Sequence, residues 1–322
     1  MRRNINDLMQ VPAQERDLSW LTDSLQAAIR LEFATVPVYL CGMWSIKTQS
    51  GPAFSSIRSV VIDEMFHMGL ACNMLTTIGG TPELTNVPTY PGALPGGVRP
   101  WLRIALIGLD KATVDEMYMQ IEYPESGPIA HFKGETFPTI GKFYDAILDA
   151  FRKLQASEIT GARQITQGQK LFAIATLADA ERAIDRIKRQ GEGTSQSPFS
   201  NDFGTNLAHY YRFAEIFRER KLIQLPSGEW KYEGAPIPFP DAFPMAEVPE
   251  GGYPDVPKAL EFNQAFTTMV GHLQQAWVTG DGNELGAAIG AMFQLRGPAR
   301  ELMQVPLPAG GGNYGPDFRL IP

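Results

Sequence analysis

Residues 60–71 read VVIDEMFHMGLA, and the way this stretch folds decides the rest. Wound as a helix, it puts Val60, Val61, Glu64, His67, Met68 and Ala71 on one face, apolar apart from Glu64 and His67. An earlier stretch repeats the pattern. Leu21, Leu25, Ala28, Glu32, Val36 and Tyr39 form a helical stripe with a single acid in it. A carboxylate among hydrocarbon is costly unless a cation meets it, and no Lys or Arg shares either stripe. Glu64 and His67 stand three residues apart, so a hard oxygen and a borderline nitrogen reach one point from one helix face. The economical cation for such a point is a bound metal ion.

Outward from these stripes, the first helix is expected over 17–47, with Pro37 kinking it or opening its backbone ladder just past Glu32. Gly51 and Pro52 turn the chain, and a second helix over 54–78 stops at Gly79-Gly80. The short connection implies an antiparallel pair. A Pro/Gly-rich passage over 81–100 leads to WLRIALIGLD (101–110), which reads as a short strand or a helix start. A short helix is expected over 113–121. A longer one is expected over 138–154, with Phe143, Ile147, Leu148 and Phe151 on one face. A second antiparallel pair follows at 171–190 and 203–221, linked by GEGTSQSP (191–198). Helix pair, long crossover, helix pair is the ferritin-like form of the four-helix bundle, so the expected fold class is all-α. Residues 1–221 would form this bundle. Residues 222–322 would add a Pro-rich wrapping segment, with a hairpin at PSGEWKYEG (226–234), and two further helices over 258–278 and 283–304, packed on the bundle as one unit. The Gly-rich tail, PAGGGNYGPDFRLIP (308–322), reads as surface.

Carboxylate-bridged bundles take a Glu from each of two helices and a Glu-x-x-His from each of the other two. Here the first helix offers Glu32, the second Glu64 and His67, and the fourth His209, in a chain with only four histidines. Three residues before His209 stands Asn206, an uncharged side chain that bridges ions poorly. The third helix should add a carboxylate. Glu192 is nearest by depth in the bundle, while Glu181 lies further back and reads as solvated. The expected ligands are therefore Glu32, Glu64, His67, Glu192 and His209. Competing readings make Glu32 a protonated acid or the partner of a distant Arg, and His209 a core histidine. Glu215 reads as a surface charge, and Glu122 as a helix-end charge ahead of the alternative that it approaches the site from the crossover. His131 reads as a surface or entrance residue, His272 as structural, and Tyr210, Tyr211 and Arg212 as packing between helices. The carboxylate-rich set suits one or two iron ions, with manganese second.

Composition closes off other classes. A net charge of −7, a pI near 5.2 and no basic stripe exclude a nucleic-acid surface. Cys41 and Cys72 lie on apolar helical segments and read as reduced core thiols. No apolar run follows the basic start of the chain and none is long enough to span a bilayer, so neither a signal peptide nor membrane insertion is expected, and the expected compartment is the cytoplasm.

Five runs carry a resemblance: LEFATVPVYLCGMWS (31–45), IDEMFHMGLACNMLTTIGGTP (62–82), TIGKFYDAI (139–147), RQGEGTSQSP (189–198) and LAHYYRF (207–213). In this order, within about residues 17–221, they resemble the ferritin-like domain of the iminophenyl-pyruvate dimer synthases of violacein and rebeccamycin biosynthesis. The resemblance implies a helical, metal-binding fold with Glu32, Glu64, His67 and His209 at its motif positions. The chain departs from the family pattern at Asn206, Arg189 and Lys142, where Glu is usual, and the synthases are much longer chains. The function expected is that of a non-haem iron oxidoreductase using dioxygen on a small organic substrate, as a monomer or small homo-oligomer. The alternative is a degenerate, non-catalytic scaffold or partner-binding module with a partial metal site.

Overall fold

Gly51 adopts φ +92° and Pro52 follows at the first helical position, where its missing N–H costs nothing. These two residues reverse the chain between α2 (Leu18–Ser45) and α3 (Pro52–Thr77), which pack side by side as the expected antiparallel pair. In this computed structural model, residues 4–124, 139–194, 197–200 and 206–321 are described. A short capped helix, α1 (Ile5–Gln10), precedes the pair. Asp17 caps α2 by accepting from the Trp20 N–H at 2.9 Å. α2 runs unbroken through Pro37, which withholds an N–H from the carbonyl of Phe33, next to Glu32.

The crossover carries little regular structure. The strand option at 101–110 is realised only as Arg103–Ile104, paired antiparallel with Gly92–Ala93. The segment Thr113–Tyr118 is π-helical and runs into the one-turn α4 (Met119–Ile121). α5 (Ile140–Phe151) follows, capped by the Thr139 hydroxyl. α6 (Leu177–Glu192) starts six residues later than the spacing predicts. Residues before it are held extended: Asn73 takes the Phe172 carbonyl at 2.9 Å and Gln164 the Ile174 N–H at 2.7 Å. A capping box of Thr176 and Asp179 then opens the helix.

The fourth bundle helix, α7 (His209–Arg218), is shorter than the expected 203–221. Among the described residues before it, Phe199 pairs with Leu207 and the Ser200 N–H donates to the Asn206 carbonyl at 3.0 Å. Asn206 is therefore exposed and outside the helix, and its three-residue spacing from His209 is not a helical one. Glu219 closes α7 in the left-handed region, φ +56°.

The 226–234 hairpin forms, pairing Ile223–Gln224 with Trp230–Lys231. Beyond it, α8 (Pro257–Thr279) and α9 (Gly282–Leu302) make a helical hairpin. Its α8 arm meets α3 through the buried Trp277, whose indole donates to Asn73 at 2.9 Å. On α9, Arg300 caps the end of α2 through the carbonyls of Trp44, Ile46 and Lys47. The tail departs from the surface reading. Phe318 stacks on Trp44, and the buried Asp317 accepts from Asn263 at 2.6 Å. Among the described residues, no helix is long and apolar enough to cross a membrane.

Candidate metal centre

Five side chains from four elements converge on one buried point. α2 brings Glu32, α3 brings Glu64 and His67, the residue just after α4 is Glu122, and α7 opens with His209. All five are buried, and His209 is fully enclosed. They fall into two groups with Glu64 in both: Glu32, Glu64 and His67, then Glu64, Glu122 and His209. Within each group the donor atoms lie within 4.8 Å of one another. His67 Nδ1 is 3.7 Å from Glu32 Oε2 and 3.7 Å from Glu64 Oε1. His209 Nδ1 is 2.8 Å from Glu64 Oε1 and 3.5 Å from Glu122 Oε2. The two imidazoles stack with centroids 5.6 Å apart.

Each outer carboxylate is held by a buried phenol. The Tyr144 hydroxyl donates to Glu32 Oε1, and Tyr39 donates to Glu122 Oε1 at 2.5 Å. Thr35 donates to Glu64 Oε2 at 3.0 Å. The backbone around Glu122 is pinned by Arg99, which donates to the carbonyls of Gln120, Ile121 and Tyr123. The imidazoles have their own supports. The His67 Nε2–H meets Gln190 Oε1 at 2.8 Å, and His209 Nε2 lies 3.5 Å from Asp63 Oδ2. Asp63 is buried in turn against Arg212 and Lys170, each at 3.0 Å.

The protonation states follow from this crowding. Burial opposes charge on Glu64, and the neighbouring Glu122 adds to it, so its carboxyl is pushed up to about 7 despite His209. Burial also opposes charge on both imidazoles. The carboxylates outweigh it: Glu32 and Glu64 raise His67, and Asp63, Glu122 and Glu64 raise His209 well above the ordinary histidine value. Glu122 is lowered against burial by His209 and Tyr39, and Asp63 is held far below the carboxylate range by His209 and Arg212. Burial and the adjacent acids lift the phenols of Tyr39 and Tyr144 well above 10.0. The carboxylates that raise the two imidazoles make this point favourable for positive charge.

The donor set fits a metal ion. Both ring nitrogens of His209 are buried without a well-aligned hydrogen bond, although Nδ1 is only 2.8 Å from a carboxylate oxygen. An orphaned buried polar atom is a cost that an ion between Glu64, Glu122 and His209 would remove. Three carboxylates and two imidazoles are the ligand chemistry of iron or manganese.

Of the residues expected from sequence, Glu32, Glu64, His67 and His209 meet here. Glu192 closes α6, and its side chain lies outside the described residues, as does His131. Glu122, at the end of α4, stands beside Glu64 and His209, a place the helix-end reading alone does not give it. Val114, Tyr118 and Glu122 stand four residues apart, but the segment between them is π-helical, so the spacing does not read as an α-helical face. Glu215 is misread. It is buried, accepting from the Leu222 N–H at 2.8 Å and from Lys221 at 2.7 Å. Glu181 is solvated, pairing with Arg152. His272 links α8 to α9 through Glu284 at 2.7 Å. A narrow cavity of about 40 Å³ adjoins the carboxylates, walled by Leu31, Ile121, Ile140 and Ile187, with Arg99 and Lys188 also on its lining.

Comparison with known proteins bears on this arrangement. A crystal structure of a ferritin-like protein from Caulobacter vibrioides is similar, with a TM-score of 0.66 and 22% identity over 94% of this chain and 97% of that one. At that identity the likeness speaks for the fold, and its span takes in the C-terminal helical hairpin. No protein with a curated description matches the chain. The ferritin-like family model matches residues 25–218, which contain every side chain of the centre, and the chain belongs to the ferritin-like family.

Proposed function

We propose that the chain is a non-haem iron oxidoreductase with a dinuclear centre, acting on a small organic substrate with dioxygen. One observation carries the reading: Glu64 belongs to two donor groups at once, each completed by its own carboxylate and its own imidazole. Glu32 and His67 would hold one ion, Glu122 and His209 the other, and Glu64 would serve both. Iron bound there supplies one-electron and dioxygen chemistry that no side chain of the site can supply.

The chain's own residues do the rest. Tyr39 and Tyr144 fix the outer carboxylates by donating phenolic protons, so the ligand oxygens are oriented before an ion arrives. Thr35 does the same for Glu64. Leu31, Ile121, Ile140 and Ile187 keep bulk water from the carboxylates, which strengthens every charge interaction inside. A volume of about 40 Å³ admits a few water-sized molecules. Dioxygen fits, whereas an organic substrate is too large for the cavity and would react at its edge. The departures from the dimer-synthase pattern do not count against a complete site. Asn206 and Lys142 are exposed and Arg189 pairs with Asp185 at 2.7 Å, while Glu122 supplies the carboxylate. The resemblance to those synthases favours redox chemistry on a small molecule, and it leaves the particular coupling reaction unassigned.

The test is to load the protein with ferrous iron under anaerobic conditions and then admit dioxygen. A near-ultraviolet or visible absorption change that needs both reagents is expected. Uptake of iron with no oxygen-dependent change would remove the oxidoreductase reading. Uptake below a tenth of an equivalent would remove the centre itself.

A further inference from the structure

The two imidazoles of the centre are supported by chemically different groups. The outer nitrogen of His67 meets the neutral side-chain carbonyl of Gln190 on α6. That of His209 faces a carboxylate, Asp63 on α3. Arg212 meets the same Asp63 oxygen that faces His209, Oδ2, and Lys170 meets Oδ1, so the group behind His209 is a carboxylate held in ion pairs. Lys170 is half exposed, and its charge is screened by solvent. Such a pair carries a far larger dipole than one amide. An acceptor behind a ligating histidine raises its basicity in proportion to the negative potential it provides, and loss of such a support costs about 10–100-fold in metal affinity.

We propose that Gln190 is a positioning residue for metal binding. By accepting from the Nε2–H of His67 it leaves Nδ1 free to face Glu32 and Glu64, and its lack of charge makes that half of the centre the weaker one. The half built on Glu122 and His209 fills first, and the half built on Glu32 and His67 fills second. The inference rests on the dinuclear reading above, since it divides between two halves what that reading treats as one site.

Cobalt(II), titrated into the metal-free protein and followed by calorimetry and by its visible absorption, tests this without reference to turnover. The wild type should take two ions in two resolved steps, with dissociation constants at least about tenfold apart. Gln190→Glu places a carboxylate behind His67. It should tighten the second step about 10–100-fold, merge the two steps and leave the first within about twofold. Gln190→Ala should weaken the second step by a similar factor and also leave the first alone. A role confined to packing could not produce the gain in Gln190→Glu. Gln190 is only partly buried, so both variants should fold, and a thermal melt of each metal-free protein checks it. Two equal steps in the wild type, or no response of the second step to either variant, overturns the inference and leaves the dinuclear reading standing. No cobalt uptake by the wild type overturns both.

Discussion

Glu64 stands between two imidazoles and two other carboxylates, and its protonation records that crowding. Its carboxyl sits near 7 in the folded protein against 4.5 unperturbed. A carboxyl raised on folding binds its proton more tightly in the native state, so its ionisation costs stability as pH climbs from about 4.5 through 7. Replacing it with the uncharged isostere removes that cost. Metal-free Glu64→Gln should be as stable as wild type at pH 4.5 and more stable by roughly 1–3 kcal/mol at pH 8, read by urea denaturation. Equal stability at both pH values would show that the Glu64 charge is already compensated. The imidazoles set a second expectation. His67 and His209 are both raised, so below their folded pKa values a proton occupies each position that an ion needs. Metal affinity should fall as pH falls, and loading at pH 7 in weak buffer should release about one to two protons per chain. Loading without proton release would contradict the assigned charge states. Four of the five side chains of the centre were legible as polar residues inside apolar stripes. Glu122 was not, because a π-helical segment precedes it. There the Met119 N–H reaches the carbonyl of Val114, five residues back, which breaks the period by which helix faces are read.

At the scale of elements, helix positions follow local chemistry where that chemistry is local. Asp17, Gly51-Pro52, Thr139 and Gly280 mark their helix ends in the sequence as they do in the fold. The late starts of α6 and α7 do not follow from local propensity, since distant residues hold the preceding segments extended: Asn73 for Phe172, Pro198 for Ala208. α7 is tied to the bundle by Arg212, in the helix-joining role expected of it, though its partners are set by the fold. Arg212 spans from it to α3, donating to Asp63 and Ser59 at 3.0 Å each. Arg212→Leu leaves the buried Asp63 carboxylate with His209 and a half-exposed lysine and should cost about 3 kcal/mol. Adding Asp63→Asn should recover much of the loss, as a double-mutant cycle would read. A single-variant loss below about 1 kcal/mol would mean that the pair does not hold α7 in place.

The whole molecule extends the bundle with a helical hairpin and a buried tail, and Asn73 is where the parts meet. Its amide donates to the carbonyls of Ile165 and Phe172, and its oxygen accepts from the Ile165 N–H and the Trp277 indole. Asn73→Ala strands four buried groups. It should cost at least about 3 kcal/mol and lower the melting of bundle and hairpin together. Loss of the hairpin alone would show two separately folding units. The central claim is that Glu64 joins two metal positions. Crystals of the protein grown with ferrous iron, with anomalous scattering recorded at the iron edge, test it most directly. Two peaks are predicted, both within bonding distance of Glu64, one beside Glu32 and His67 and the other beside Glu122 and His209. A single peak, or peaks away from Glu64, would contradict the claim.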